Sequence, residues 1–529
     1  MKKSLTVPLL SVLVVCIGCG SKAATNKWET IEMERVSVHD PSIVSVINDD
    51  KEEFYIFGSH LGEAKTTDLV KWQVPFNSEY ENMDNNLILG DVDKNLKKSF
   101  EWAGRDDADS KGGYSIWAPD VIWLPEYKWK NGDKGAYVYY YSVTSTWRRS
   151  AIGFAVSKNI EGPYDYRDTV VYSGFTEVDS TDGSERNTNY EGTNLKDLID
   201  KGTISSFNKN WVKNAGGEYN TDYAPNAIDP ALFFDEEGRL WMTYGSWSGG
   251  IYLLEMDKET GEAIYPGEDS KTKGNNLIDR YFGVKLSGGY HHSGEGPYIV
   301  YDEQTKYYYL FETYGGLATN GGYNMRLFRS ENPDGPYYDL NGNEPIPESR
   351  GDHEDNYGLK VMGNYQFSNM TKAYKAQGHN SAIIDRNGDW LLAFHTRFSN
   401  NGEGHEVRIH PMMMNENDWP VALPYEYTDS ISDKTFKSEE LVGEYEFITH
   451  GTKTEKEINK SKIISLEKDG KITGATSGTW KLVEGKFINL LIDEVSYKGV
   501  ITEQKNEQKE MTIVFSAVGE NETVWGSKK

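Results

Sequence analysis

Five short motifs carry the residue types that acid–base chemistry requires: His39-Asp40-Pro41, Trp117-Ala118-Pro119-Asp120, Ile228-Asp229-Pro230, Gly294-Glu295-Gly296-Pro297 and Gly378-His379-Asn380. Hydrolysis of a glycosidic bond needs one carboxyl group that protonates the leaving oxygen and one ionised carboxylate that activates water or attacks, and a third acid can tune the first. Asp40, Asp229 and Glu295 are the candidates. None of these motifs is diagnostic alone, because Asp-Pro is common in turns and a Glu between glycines suits an ordinary exposed loop. Taken together they say more. Three carboxylates facing one cavity, with no Lys or Arg in their motifs, would repel one another, and such clusters persist mainly where they have a function. Asp120 stays open between a site residue and a hydrogen-bonded strand anchor.

The motifs are far apart in sequence, so something must bring them together. That device is an internal repeat, read five times as a Pro, Asp or Asn signal, an apolar strand, a turn, an aromatic strand and a third strand. In the third copy these are Ile228-Asp229-Pro230-Ala231-Leu232-Phe233-Phe234, Leu240-Trp241-Met242-Thr243-Tyr244 and Gly250-Ile251-Tyr252-Leu253-Leu254. In the first copy the third strand is expected at Thr67-Asp68-Leu69-Val70-Lys71-Trp72. Repeated sheets without cysteine staples predict an all-β protein, a five-bladed β-propeller over residues 28–425, in which the start of each innermost strand converges on the central channel. A pair of β-sandwiches or a β-helix is the competing architecture. The polar stretch 176–220 is expected to be a rim insertion, and 428–440 a linker. Strand-like segments joined by turn signals such as Asp469-Gly470 then predict a small antiparallel barrel over 440–529.

Composition narrows the partners. The 529 residues include 56 Lys and Arg against 82 Asp and Glu, a net charge of −26, so nucleic acid and strongly anionic polymers are excluded as partners. Aromatic residues make up 13% of the chain, enough to supply stacking surfaces for sugars. Both cysteines, Cys16 and Cys19, lie in a basic-then-apolar N-terminal segment that reads as a signal peptide over 1–19. The end of that segment, Ile17-Gly18-Cys19, resembles a lipoprotein cleavage box, with Cys19 as the lipidated residue and Cys16 departing from the usual Leu. An ordinary secretory signal cleaved near Ala23-Ala24 is the alternative. Either way the protein is expected outside the cytoplasm, touching a membrane only through an N-terminal lipid.

The order of the five motifs resembles glycoside hydrolase family 43 over most of residues 35–415, with the closest likeness to two-domain endo-1,5-α-L-arabinanases. The resemblance implies Asp40 as general base, Glu295 as general acid and Asp229 as the residue that tunes and orients the acid. It implies sugar contacts at Asp40, Trp117, Gly153, Asn226, Ala227, Ile228, Asp229, Ser246 and Trp247, and a calcium ion held at His379. The implied substrate is arabinan or arabino-oligosaccharide, a neutral polymer compatible with an acidic protein. An exo-acting α-L-arabinofuranosidase or β-xylosidase of the same family, or a sugar-binding propeller without turnover, is the alternative. The insertion 176–220 and Thr146-Trp147-Arg148-Arg149-Ser150 depart from the family pattern, which leaves endo against exo action open.

Overall fold

The computed structural model describes residues 28–48, 51–75, 83–105, 115–145 and 148–529. The signal segment and Cys19 lie outside the described residues. The chain is all-β, with a propeller-like arrangement of sheets followed by a closed eight-stranded barrel.

Each repeat folds as an antiparallel sheet whose first strand lies innermost. The first sheet runs inward from Thr30–Met33 through Trp72–Pro75, Gly62–Thr66 and Lys51–Gly58 to Ser42–Asn48. The second is Ile116–Lys128, Lys134–Val143, Ala151–Ser157 and Asp165–Tyr172. The third begins Ala231–Phe234, Leu240–Tyr244, Ile251–Met256 and the fourth Glu295–Tyr301, Tyr308–Tyr314, Asn324–Ser330. The fifth carries Tyr374–Ile384, Trp390–Phe398 and His405–Met414.

Polar contacts join the sheets in sequence around the axis. Ser42 Oγ donates to Asp120 Oδ1 at 2.5 Å, and Asp120 Oδ2 accepts from Leu232 N at 2.7 Å. Gly296 N donates to Asp229 Oδ2 at 3.2 Å, His379 N to Thr313 Oγ1 at 2.8 Å, and Ile43 N to Ser381 Oγ at 3.0 Å. The last contact returns to the first sheet. Around this ring the apolar faces of neighbouring sheets pack together, as where Ile43, Ile56 and Trp72 meet Leu391, Ala393 and Ile409.

Two expectations are revised. Residues 67–71 are a turn, because Asp68 Oδ1 accepts from the amides of Val70 and Lys71 and so competes with the ladder; the strand there is Gly62–Thr66, followed by Trp72–Pro75. The stretch 176–220 is more than a loop: it carries the short helix Leu195–Asp200, and Leu195, Ile204 and Trp211 are buried in the core of the second and third sheets. Trp211 Nε1 donates to Asp279 Oδ2 at 2.8 Å, which satisfies the indole where it is buried. The barrel has an eighth strand, Glu522–Lys528, and its interior is filled by Tyr445, Phe447, Ile464, Leu466, Trp480 and Phe515.

The barrel is fused to the fifth sheet. Asn459–Lys460 pairs in parallel with Tyr365–Gln366, and Trp525, Val514 and Val518 share a core with Tyr365, Phe367 and Trp419. Nearby, the buried Arg408 lies 2.6 Å from both Glu426 and Glu406. Burial alone would raise the Glu426 carboxyl, yet Arg408 and Arg35 hold it down at about 2. Its folded-state pKa is therefore depressed, so the ion pair stabilises above the ordinary carboxylate range and that stability is lost as pH falls toward 2. Arg408→Met is expected to cost about 3 kcal/mol, the low end for breaking a buried pair, because it removes the buried cation beside Glu426 and leaves only the more exposed Arg35 there. Denaturant unfolding at pH 7 checks this, and the deficit should shrink on acidification.

Candidate active site

The axial segment of each repeat is led in by a residue with a left-handed backbone: Asp40 (φ 54°) and Asp229 (57°) just before their innermost strands, and Ala118 (34°), Gly296 (57°) and His379 (47°) within theirs. Proline follows the first four, and Asn380 follows His379. For a non-glycine residue this conformation costs about 1–2 kcal/mol, so the surrounding ring must impose it. The five lead-in residues and the two that follow each of them line one cavity of about 20 Å³ on the axis. This sets the structural register. The counterpart of Asp40 is Ala118 in the second sheet and Gly296 in the fourth, so Asp120 stands two residues deeper and Glu295 one residue earlier than an alignment on the acids implies. The left-handed residue, followed by proline in four of the five repeats, and not the acid, is the constant of the repeat.

Asp40 is buried and surrounded by donors. Ser59 Oγ donates to its Oδ2 at 2.5 Å, and the Nδ1 atoms of His39 and His379 lie 2.8 and 3.1 Å from its Oδ1. Burial would raise its pKa, but His379, His39 and His395 outweigh that and hold the carboxyl well below its ordinary value. Asp40 is thus ionised over any working range, as a base must be. Asp229 has the opposite environment. Burial, then the charges of Glu295 and Asp40, push it well above the usual carboxylate range, against one backbone hydrogen bond from Gly296. Asp120 is pushed to about 6 by burial, while its hydrogen bonds to Ser42 and to the Leu232 amide pin three sheets together, so its role is that of a strand anchor.

Glu295 opens the fourth sheet and is gripped on both oxygens. Ser246 Oγ and Trp247 Nε1 donate to Oε2 at 3.1 and 3.0 Å, and Tyr323 OH donates to Oε1 at 2.6 Å. Burial and the charges of Glu295 and Asp40 keep the Tyr323 phenol protonated, so it remains a donor. Ser246 and Trp247, expected as sugar contacts, hydrogen-bond the Glu295 carboxyl. Tyr323, which the sequence reading missed, stands immediately before the third strand of its repeat, where no motif marks it.

The other expected contacts fall at varying distances from this centre. Trp117 lies beside Asp40 through Ser59, whose Oγ accepts from Ala118 N at 2.8 Å; its ring is 4.5 Å from His60, and its buried indole N–H has no partner among the described residues. Asn226 Oδ1 accepts from Ser150 Oγ at 2.8 Å, Ser173 Oγ takes the Ala227 amide at 2.9 Å, and Ile228 O accepts from Gly245 N at 2.9 Å, so this run braces the approach to Asp229. Gly153 lies inside the second sheet against Tyr141, where a side chain would meet the phenol at 2.4 Å. A cleft of about 770 Å³ is bordered by Arg148, Gly174, Thr176, Thr188, Tyr219, His291 and Arg350. The His291 ring lies 5.9 Å from Trp247, so the insertion forms a wall beside the acid's own tryptophan.

A metal has two places to consider. His379 turns Nδ1 to Asp40, which leaves Nε2 as a ligand atom, and the axial cavity around it offers the carboxylates of Asp40 and Asp229 and the amide of Asn380. That buried amide has no hydrogen-bond partner among the described residues, and oxygen donors are what calcium prefers, so the donor set fits a calcium ion. A tighter group is His39, Asp40 and His395, with ligand atoms within 4.8 Å of one another. Two of its three donors are imidazoles, which suits a transition metal better than calcium.

Comparison with known proteins agrees with this geometry. The sequence profile of the glycosyl hydrolases of family 43 matches residues 205–420, and that of a C-terminal lipocalin-like domain found with them matches 424–526. The chain is 38% identical to extracellular endo-α-(1→5)-L-arabinanase 2 of Bacillus subtilis strain 168, over 94% of this chain and 93% of that one. It is also 38% identical to the extracellular endo-α-(1→5)-L-arabinanase of Thermotoga petrophila, over 92% and 93%. The crystal structure of a family 43 glycoside hydrolase from Bacillus licheniformis superposes with a TM-score of 0.75 at 38% identity, covering 94% of this chain and 98% of that one. With kinship of that extent along nearly its whole length, and with Asp40, Asp229 and Glu295 gathered at one channel mouth, the chain belongs to family 43 of the glycosyl hydrolases.

Proposed function

We propose that the protein is an extracellular endo-acting hydrolase of α-1,5-linked L-arabinofuranose bonds in arabinan, working by inversion. The observation that carries this reading is the pairing of two unlike carboxyl groups at one mouth: Asp40, ionised among histidines, and Glu295, gripped by Ser246, Trp247 and Tyr323. Asp40 takes a proton from water as that water attacks the anomeric carbon, and Glu295 gives its proton to the departing sugar oxygen. Asp229 fixes the Gly296 amide next to the acid, and its carboxyl, held well above the usual range by burial and by Glu295 and Asp40, is electrostatically coupled to the acid. An inverting pair leaves room for the water, with carboxyls roughly 6.5–9.5 Å apart. We read each of the five sheets as one blade, the ring of contacts closing between Ser381 and Ile43.

The full-length kinship to endo-acting relatives favours internal cleavage. Chromatography of early products from debranched arabinan should give a ladder of oligosaccharides, and NMR should show the inverted anomer first. Arabinose alone as the early product would mark an exo enzyme, and no product from arabinan would leave a binding propeller.

In the same reading, His379 Nε2 and oxygen ligands of the axial cavity would hold a calcium ion, which would offset the repulsion among Asp40, Asp229 and Glu295. Chelation is expected to lower both turnover and melting temperature, with recovery on adding calcium, and His379→Ala should reproduce the chelated state. Unchanged rate and melting temperature after exhaustive chelation would remove the ion from the scheme. Cys19 is proposed as a lipid anchor; membrane fractionation of the wild type against Cys19→Ala tests it.

A further inference from the structure

We propose that Arg397 is a positioning residue that references both catalytic carboxylates from one point, reaching Asp40 through the tautomer of His39 and Glu295 through the turn that leads to Tyr323. The inference rests on the acid and base roles proposed above.

Arg397 is only 5% exposed, and its guanidinium is nearly fully used. Nε donates to Leu317 O at 2.7 Å and NH1 to Glu403 O at 2.5 Å. NH2 lies 3.4 Å from His39 Nε2, and NH1 lies 3.5 Å from His405 Nδ1. A guanidinium has donors and no acceptor, so each imidazole nitrogen facing it must present its lone pair. His39 is thereby fixed with its proton on Nδ1, the atom 2.8 Å from Asp40 Oδ1. That approach is bent away from a linear hydrogen bond, and among the described residues no other acceptor takes the proton.

The neighbouring histidine does not compete. His395 stacks on His39 with ring centroids 4.0 Å apart, and its Nδ1 accepts the Asp40 amide at 3.3 Å, so its proton sits on Nε2, away from the carboxylate. Oδ1 therefore faces the His39 proton and, at 3.1 Å, His379 Nδ1, while Oδ2 takes the Ser59 hydroxyl at 2.5 Å, and these neighbours together set the lone pair left for water.

The same arginine holds the other half of the site. Leu317 lies in the turn closed by Gly316 N to Gly321 O at 2.9 Å and Gly321 N to Ala318 O at 2.7 Å. Glu403, which accepts from Arg397 through its carbonyl, also accepts from Thr319 N at 2.9 Å through its carboxylate. Two residues after Gly321 comes Tyr323, whose hydroxyl donates to Glu295 Oε1 at 2.6 Å. A shift of about 1 Å in the reacting groups can cost about 10²-fold in rate, so a shared reference for acid and base bears directly on turnover.

The test is a set of variants assayed on linear arabinan with melting temperature recorded for each. Arg397→Gln is expected to lower kcat by about 10–100-fold while KM stays within about threefold, the signature of an interaction used in the transition state. His39→Ala should fall as far, and His39→Asn, whose amide N–H replaces the Nδ1 proton, should recover most of that loss, whereas His39→Gln, with its N–H at the other end, should not. The double variant His39→Ala/Arg397→Gln should be little worse than the worse single one, because part of the path is shared. Wild-type kcat in Arg397→Gln, full additivity in the double variant, or equal loss in His39→Asn and His39→Ala each overturns the proposal. If Arg397→Gln does not fold, the three His39 variants still decide it. Failure of the wild type to cleave arabinan would instead strike the functional reading beneath.

Discussion

Glu295→Gln is expected to lower kcat on linear arabinan by about 10²–10⁴-fold, the usual contribution of a general acid. The amide can keep the grip of its neighbours, since one atom can still accept from Trp247 Nε1 and Ser246 Oγ and the other faces a hydroxyl able to accept in turn. The fold should survive, and the loss should be chemical. An aryl arabinofuranoside with a nitrophenolate leaving group needs little protonation, so the variant should recover much of its rate on that substrate. Asp40→Asn should fall by a similar factor and should not recover, because water activation is needed whatever the leaving group. Rescue of the Asp40 variant in place of the Glu295 variant would exchange the two roles. Near-wild-type rates for either would remove that residue from the mechanism.

Much of this site could be read from the sequence because X-Pro signals mark where each innermost strand begins. Asp40 and Asp229 are themselves lead-in residues, and both occupy the same left-handed backbone state beside the axis. Reading the acids as equivalent displaced the register at Asp120 and Glu295, since the left-handed residue is constant and the carboxylate is not. Asp120 consequently stands deep in the channel as an anchor, and Glu295 turns toward the preceding, third sheet, where Ser246 and Trp247 receive it. The groups that set the acids' properties were illegible for a physical reason. Ser59, Tyr323, His395 and Arg397 lie after the first strand or on later strands of their repeats, positions that no motif marks; the strand Trp390–Phe398 that carries two of them is buried throughout. Ser59 and Tyr323 reach Asp40 and Glu295 within their own sheets, whereas His395 and Arg397 come to Asp40 and to its neighbour His39 through closure of the ring, which no local spacing encodes. The core role of Trp211 was hidden in the same way, by a stretch polar enough to read as loop.

The two buried aspartates should respond in opposite senses when replaced by asparagine. Asp229 is held well above its ordinary pKa, by burial first and then by Glu295 and Asp40. Its folded-state pKa thus exceeds the unfolded value of about 3.9, so between these values the folded protein binds more protons than the unfolded chain and stability falls as pH rises. Asparagine keeps the oxygen that accepts the Gly296 amide and cannot ionise. Asp229→Asn should therefore melt higher than wild type at neutral pH, with the gain vanishing below about pH 4, where both aspartyl forms are protonated. Asp40 has a depressed folded-state pKa, so its ionised form stabilises above the ordinary range, and Asp40→Asn should melt lower at neutral pH and converge on wild type in acid. Both variants should nonetheless lose turnover, Asp229→Asn by about 10²-fold if it orients and tunes the acid. Melting curves between pH 3 and 8 in the presence of chelator, set beside kcat at each pH, separate the effects. A lower neutral melting temperature for Asp229→Asn would mean that this carboxylate is held there by favourable interactions, and that the repulsion assigned to the three acids is relieved by some other group.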